Sequence, residues 1–378
     1  MSERRGTAGA SDETDGRFAE VRRVLSEAIE RKAFPGCAFG ALAGGGVVLE
    51  GALGRFTYEP ESPAVAAETI YDVASVTKVV ATTALAMLLH QRGMLDLEMP
   101  LGEVLPGFVI GRALADRARH VTLRHLLAHS SGLPGYVEFF RTCETAATLL
   151  RACLELKLEA EPGTRAEYSD PGFILLGKAL EVLARDDLAG WSRREIFAPL
   201  GMTATGYLPS AMMSDRISPT EVDAGFRRRV IQGEVQDENA FVLKGVSGHA
   251  GLFSSVPDLL KFSGEILSSA RSSRGGETNS CLFRRETVEL FAERQAPQRS
   301  SRALGWDTPS ENSSSGEYFS AHSIGHLGYS GCSLWIDLEG GVAVVLLSNR
   351  TWPDRSTQLI REVRPLFHDA VRRAIGMT

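Results

Sequence analysis

One serine in the chain has a lysine three positions on, in Ser75-Val76-Thr77-Lys78. The pattern opens an apolar run, Val79, Val80, Leu85, Met87, Leu88 and Leu89, which places it at the first turn of a buried helix. Residues three apart share a helix face, so the lysine amine lies beside the serine oxygen, as an activated nucleophile requires. Free N–H groups at the helix start, that of Ser75 included, supply one donor of an oxyanion hole. The positive helix end and burial both oppose an ammonium, so Lys78 is expected as a neutral base. The bland alternative is a helix cap followed by a solvated lysine, a motif common by chance.

Two further segments carry compatible groups. In Tyr168-Ser169-Asp170-Pro171, Asp170 is expected as N-cap with Pro171 at the first helical position. Tyr168 then either packs or brings a phenol to Ser75 as a second base or proton shuttle. His326-Leu327-Gly328-Tyr329 precedes a strand at Ser333–Asp337. Gly328 would admit a substrate backbone to the strand edge, and the Tyr329 N–H would complete the oxyanion hole. The plain alternative is a loop histidine before an edge strand.

The elements that must position these groups come from both ends of the chain. Val21, Val24, Leu25, Ala28 and Ile29 recur at helical spacing, and Cys37–Leu42 and Val47–Leu49 flank Gly44-Gly45-Gly46 as a hairpin. Ser333–Asp337 and Val342–Ser348 flank a second glycine turn, and a helix from about Ser356 to Ala374 follows. One antiparallel sheet built from both ends and covered by the terminal helices is the economical arrangement. Between them the spacing predicts helices at Val76–Gln91, Leu123–His129, Thr145–Leu156, Pro171–Ala184, Trp191–Phe197 and Asp258–Ser268. Polar segments Ser268–Ser280 and Thr308–Gly316 read as loops.

The order serine–lysine, tyrosine, histidine–glycine resembles the serine β-lactamase and penicillin-binding protein superfamily, in its class C β-lactamase-related branch. Val121–Leu127, Ser130-Ser131-Gly132-Leu133, Ala303-Leu304-Gly305-Trp306 and Ser333–Asp337 resemble this branch too, and Gly233–Ala240 with Gly245–Phe253 resemble penicillin-binding protein 4B-like D,D-peptidases. Family VIII esterases share the pattern. The resemblance implies an α/β (α+β), β-lactamase/transpeptidase-like fold. Residues 1–16 would be a disordered leader and 17–375 one catalytic domain, with an α/β part at about 17–74 and 300–375 and a mostly helical part at about 75–299. It implies Ser75, Lys78 and Tyr168 as catalytic, Ser75 and Tyr329 as oxyanion donors, and Asp170, His326 and Gly328 as substrate-binding.

Two departures from the family pattern bear on mechanism. Asp170 stands where asparagine is usual, cannot donate when ionised, and could hold Lys78 charged. His326 stands where the branch often has lysine. As imidazolium it would bind a substrate carboxylate; as a neutral ring it would supply shape or a hydrogen bond.

Composition bounds the rest. With 41 basic and 47 acidic residues the net charge is −6, which offers no basic face for nucleic acid. Five scattered cysteines form no zinc or disulfide pattern, and no G-x-S-x-G elbow or nucleotide glycine loop occurs. His125 and His129 read as structural, His249 between Gly248 and Gly251 either reaches the cleft or is structural, and Asp237, Glu238 and Asn239 read as a capped turn. A cytoplasmic serine hydrolase without cofactor is therefore expected, with no membrane span and acting on a D-alanyl or muropeptide amide, a small ester or a β-lactam. The rival is a penicillin-binding sensor or scaffold without turnover.

Overall fold

The computed structural model describes residues 16–113, 115–272 and 282–376. The expected leader falls almost wholly outside them. Helix α1, Ala19–Glu30, presents Val21, Val24, Leu25 and Ala28 as one buried stripe. Strands β1, Gly36–Ala43, and β2, Gly46–Gly54, form the expected hairpin, with β2 running five residues beyond Leu49. Gly44 and Gly45 turn it with φ of 60° and 80°, the left-handed values that a tight two-residue hairpin turn demands.

Strands β3, Ser323–Leu327, β4, Ser333–Asp337, and β5, Val342–Ser348, complete the sheet in the order β2-β1-β5-β4-β3, each neighbouring pair antiparallel. Both chain ends thus meet in one sheet. Its outer face carries Phe39, Trp335, Val344 and Leu346 against α1 and the C-terminal helix. Its inner face carries Ala38, Leu334, Ile336 and Val345 into the larger core. Burial on both faces explains why β4 and β5 read as continuous apolar runs.

Helices α2, Ala84–Gln91, α3, Asp170–Ala184, α4, Val256–Arg271, and α5, Ile360–Ile375, frame the site. Among the boundaries that differ from expectation, three lie at these helices. Helix α5 starts four residues later than Ser356. Helix α4 continues through Arg271, because Ser263 and Ser269 are buried with their hydroxyls on Leu259 O and Glu265; residues 273–280 of the expected loop lie outside the described residues. The segment before α2 is not one α-helix either. A 3₁₀ turn, Ala74–Val76, passes into a π-helical stretch, Lys78–Thr83. Among the described residues, no helix is long and apolar enough to cross a membrane.

Candidate active site

Ser75 sits on the 3₁₀ turn immediately after Ala74, whose φ of 46° is a left-handed strain point. Buried Asp72 holds the turn by accepting the Ala74 N–H at 2.8 Å. Thr77 ties it to the core, donating to Ala74 O at 2.6 Å and accepting the Leu252 N–H at 3.0 Å. Lys78 is fully buried. Its Nζ donates to Ser75 Oγ at 2.9 Å, Asp170 Oδ1 at 2.7 Å and His249 O at 3.1 Å. Three hydrogens meet three acceptors, the full capacity of an ammonium.

Of the two expectations for Lys78, a neutral base or an ammonium held by Asp170, these contacts favour the second. Burial, the largest single influence, pulls the Lys78 pKa down, but Asp170 and Tyr168 together outweigh it, and the net direction is upward. The N-cap assignment is corrected. Ser169, not Asp170, caps α3, accepting the Gly172 N–H at 3.0 Å, so Asp170 and Pro171 fill the first two helical positions. That leaves the Asp170 carboxylate for Lys78.

Tyr168 faces Lys78 and Ser75, and the Lys78 Nζ lies 4.7 Å from its ring centroid. Burial and Asp170 raise the phenol's pKa against the opposing pull of Lys78, so the resting site pairs an ammonium with a neutral phenol. His129 backs the Tyr168 ring at 4.6 Å and accepts the Ser169 N–H at 3.0 Å on Nδ1. It is structural, as expected, although its buried Nε2 has no partner among the described residues. His125 is structural too, in a capping box with Thr122.

The histidine–glycine segment is not a loop. His326 belongs to the edge strand β3, where it pairs with Leu334. A side chain on Gly328 would meet Val73 O at 2.4 Å. Glycine there lets the chain after β3 lie against the backbone just before Ser75, a different use from admitting substrate, although Gly328 also lines the cleft. The Gly328 carbonyl accepts from Gly331 N at 3.1 Å and from Arg364 Nη2 at 2.7 Å. In a trans peptide the N–H opposes the carbonyl. The Tyr329 amide is thereby fixed away from Arg364, and it has no acceptor among the described residues.

Ser75, Tyr168, Asp170, His326, Gly328 and Tyr329 all line one cleft of about 1440 Å³. Two neighbours of the site, Arg302 and Arg364, were missed in the sequence, and His249 enters through its backbone. Arg302 lines the cleft with its guanidinium 5.3 Å from the Tyr168 ring centroid. Arg364 braces the Gly328 carbonyl. His249 contributes its carbonyl to Lys78, while its ring bonds Ser247 Oγ at 2.8 Å and Asp237 Oδ1 at 2.9 Å. Arg302 had one signal, its place just before the Ala303–Trp306 segment. Asp237 caps the helix Glu238–Val242, as the capped-turn reading has it.

Residues 21–365 match the beta-lactamase family. An N-acetylmuramyl-L-alanine amidase of Bacillus subtilis is 30% identical over 363 residues, spanning 87% of this chain and 80% of the relative. Among solved structures, EstCE1, a hydrolase with promiscuous acyltransferase activity, superposes with a TM-score of 0.72 at 23% identity, over 93% of this chain and 99% of that one. A penicillin-binding protein homolog from Caulobacter crescentus gives 0.73 at 17% identity, over 95% and 97%. These two likenesses show the fold, and the family match with the amidase relative shows more: the chain belongs to the beta-lactamase family.

Proposed function

We propose that this protein is a serine hydrolase that cleaves amide or ester bonds of small acyl substrates through an acyl-enzyme on Ser75. The observation that carries the reading is the convergence of Ser75, the Lys78 amine 2.9 Å from its Oγ and the Tyr168 phenol facing both, below a cleft that Tyr329 also lines. Ser75 attacks the carbonyl carbon while the Ser75 and Tyr329 amides receive the developing oxyanion. The Ser75 proton goes to the unprotonated fraction of Lys78 and, by way of Tyr168, to the leaving atom. Water then repeats the sequence on the ester intermediate. The cleft exceeds the roughly 300–1000 Å³ of drug-sized pockets, which suits a peptide-bearing substrate. The amidase relative supports the amide class. Four described cysteines, Cys37, Cys143, Cys153 and Cys332, are free and buried, which supports a reducing, cytoplasmic setting.

One observation favours the rival, a protein that is acylated slowly and does not turn over. The Asp170 ion pair keeps Lys78 in the form that cannot take a proton. The two readings part on Asp170→Asn. Losing the anion lets burial lower the Lys78 pKa, so more amine is free at neutral pH. Acylation at pH 7 is expected to accelerate, and its rise with pH to begin at lower pH, by about tenfold in rate per pKa unit lost. Stopped-flow acylation with a chromogenic ester from pH 6 to 10 measures it. An unshifted profile would mean that Asp170 does not control the base. A short-chain nitrophenyl ester and a fluorescent penicillin then separate turnover from stable labelling.

A further inference from the structure

His326 has a defined hydrogen-bonding polarity. Its Nδ1 lies 2.9 Å from Leu327 O. A carbonyl oxygen only accepts, so Nδ1 carries the hydrogen. Burial first, then the charges of Lys78 and Arg302, push the imidazole well below its ordinary pKa, so the ring is neutral. A neutral ring has one N–H, and Nε2 is therefore a bare lone pair. That atom is buried and has no partner among the described residues, on a side chain 2% exposed that lines the cleft.

The surrounding groups do not supply the missing donor. The three Lys78 hydrogens go to Ser75, Asp170 and His249 O. The Tyr168 hydroxyl is turned to Lys78 and Ser75, with its ring 5.9 Å from the His326 ring. Arg302 lies over the opposite partner, the Tyr168 ring, with Asp307 at 3.7 Å. A buried acceptor left unpaired is a standing cost that a ligand donor removes.

We propose that His326 Nε2 accepts the N–H of the scissile amide's leaving group, so that the cleft selects secondary amides over esters and over substrates presenting a carboxylate at this point. This rests on the serine-hydrolase reading above. A substrate with its carbonyl oxygen at the Tyr329 amide and its leaving atom toward Tyr168 runs along β3 past His326. An amide nitrogen brings a hydrogen to Nε2, whereas an ester oxygen or a carboxylate brings a lone pair against a lone pair. The imidazolium alternative raised by the sequence is thus replaced by a neutral acceptor.

Three acyl-matched substrates test the assignment: a p-nitrophenyl ester, the p-nitroanilide and the N-methyl-p-nitroanilide. The wild-type preference in kcat/KM for the anilide over its N-methyl analogue should shrink by about tenfold or more in His326→Ala. Intrinsic reactivity cancels in that ratio of ratios. Ester hydrolysis reports whatever the variant loses in common for all three substrates, and it should fall less than anilide hydrolysis does. Long-range ¹H–¹⁵N correlation spectra of the wild-type protein provide a second reading that needs no variant, and should show Nδ1 protonated and Nε2 bare from pH 6 to 8. Equal preferences in the two proteins, turnover of the ester without the anilide, or a protonated Nε2 would each overturn the assignment while leaving the hydrolase reading intact. A wild-type protein that turns over none of the three overturns both.

Discussion

Replacing Ser75 by alanine is expected to lower turnover of every substrate by at least about 10⁴-fold while the protein stays folded. The hydroxyl accepts one hydrogen bond from Lys78, which keeps its other two acceptors when the oxygen is gone. Melting temperature should therefore move by only a degree or two. Lys78 needs more care, because deleting it alone strands a carboxylate against a buried cavity, and breaking such a pair costs about 3–5 kcal/mol. The informative variant is Lys78→Met with Asp170→Asn, which keeps volume and removes both charges. It should be as inactive as Ser75→Ala, and adding Ser75→Ala to it should cost almost nothing further, since members of one catalytic unit are not additive. Circular dichroism with steady-state ester hydrolysis measures both halves. A Ser75→Ala protein that retains a tenth of its activity would remove the assignment.

Arg364→Met should separate catalysis from stability. Arg364 is buried with no carboxylate partner among the described residues, and burial pushes its guanidinium down to about 10. Its Nη2 donates to Gly328 O at 2.7 Å and Cys332 O at 2.8 Å. Both carbonyls have a second partner, Gly331 N and Gly328 N respectively. Removing the side chain thus leaves no carbonyl orphaned and relieves a desolvated cation, so melting temperature should hold or rise. What is lost is the grip on the Gly328–Tyr329 peptide. If that peptide presents the second oxyanion donor, kcat should fall by about 10²–10³-fold with KM little changed, and a boronate analogue of the tetrahedral state should weaken in proportion. Unchanged kcat with unchanged boronate affinity would take Tyr329 out of the oxyanion hole.

Legibility in the sequence followed how local each signal was. Strands β4 and β5 were readable to the residue because both faces are buried and glycine turns bracket them. Strand β3 was not, since Ser-Ile-Gly-His-Leu has neither alternation nor a β-branched run, and its pairing with β4 supplies what propensity lacks. Ser169 and Asp170 are both good caps, and the choice between them is tertiary. Lys78, 92 residues away, takes the Asp170 carboxylate, and Ser169 is left to bond Gly172 N and Pro134 O. The charge of Lys78 follows from the same contact, and its signal in the sequence was an aspartate where asparagine is usual. Ser75, Lys78 and Tyr168 were visible as types in order. Arg364 was not, because an arginine in an amphipathic C-terminal helix looks like solvated surface until the β3–β4 turn is placed beneath it.

The central claim is a covalent bond from Ser75 to the acyl group. Rapid acid quench of the wild-type protein with an activated acyl ester, followed by proteolysis and tandem mass spectrometry, reads it directly. One acyl adduct per chain is expected, located on the Ser75 side chain, forming within the first turnover and absent from Ser75→Ala. An adduct on another residue, or steady turnover with no adduct at any quench time, would contradict it.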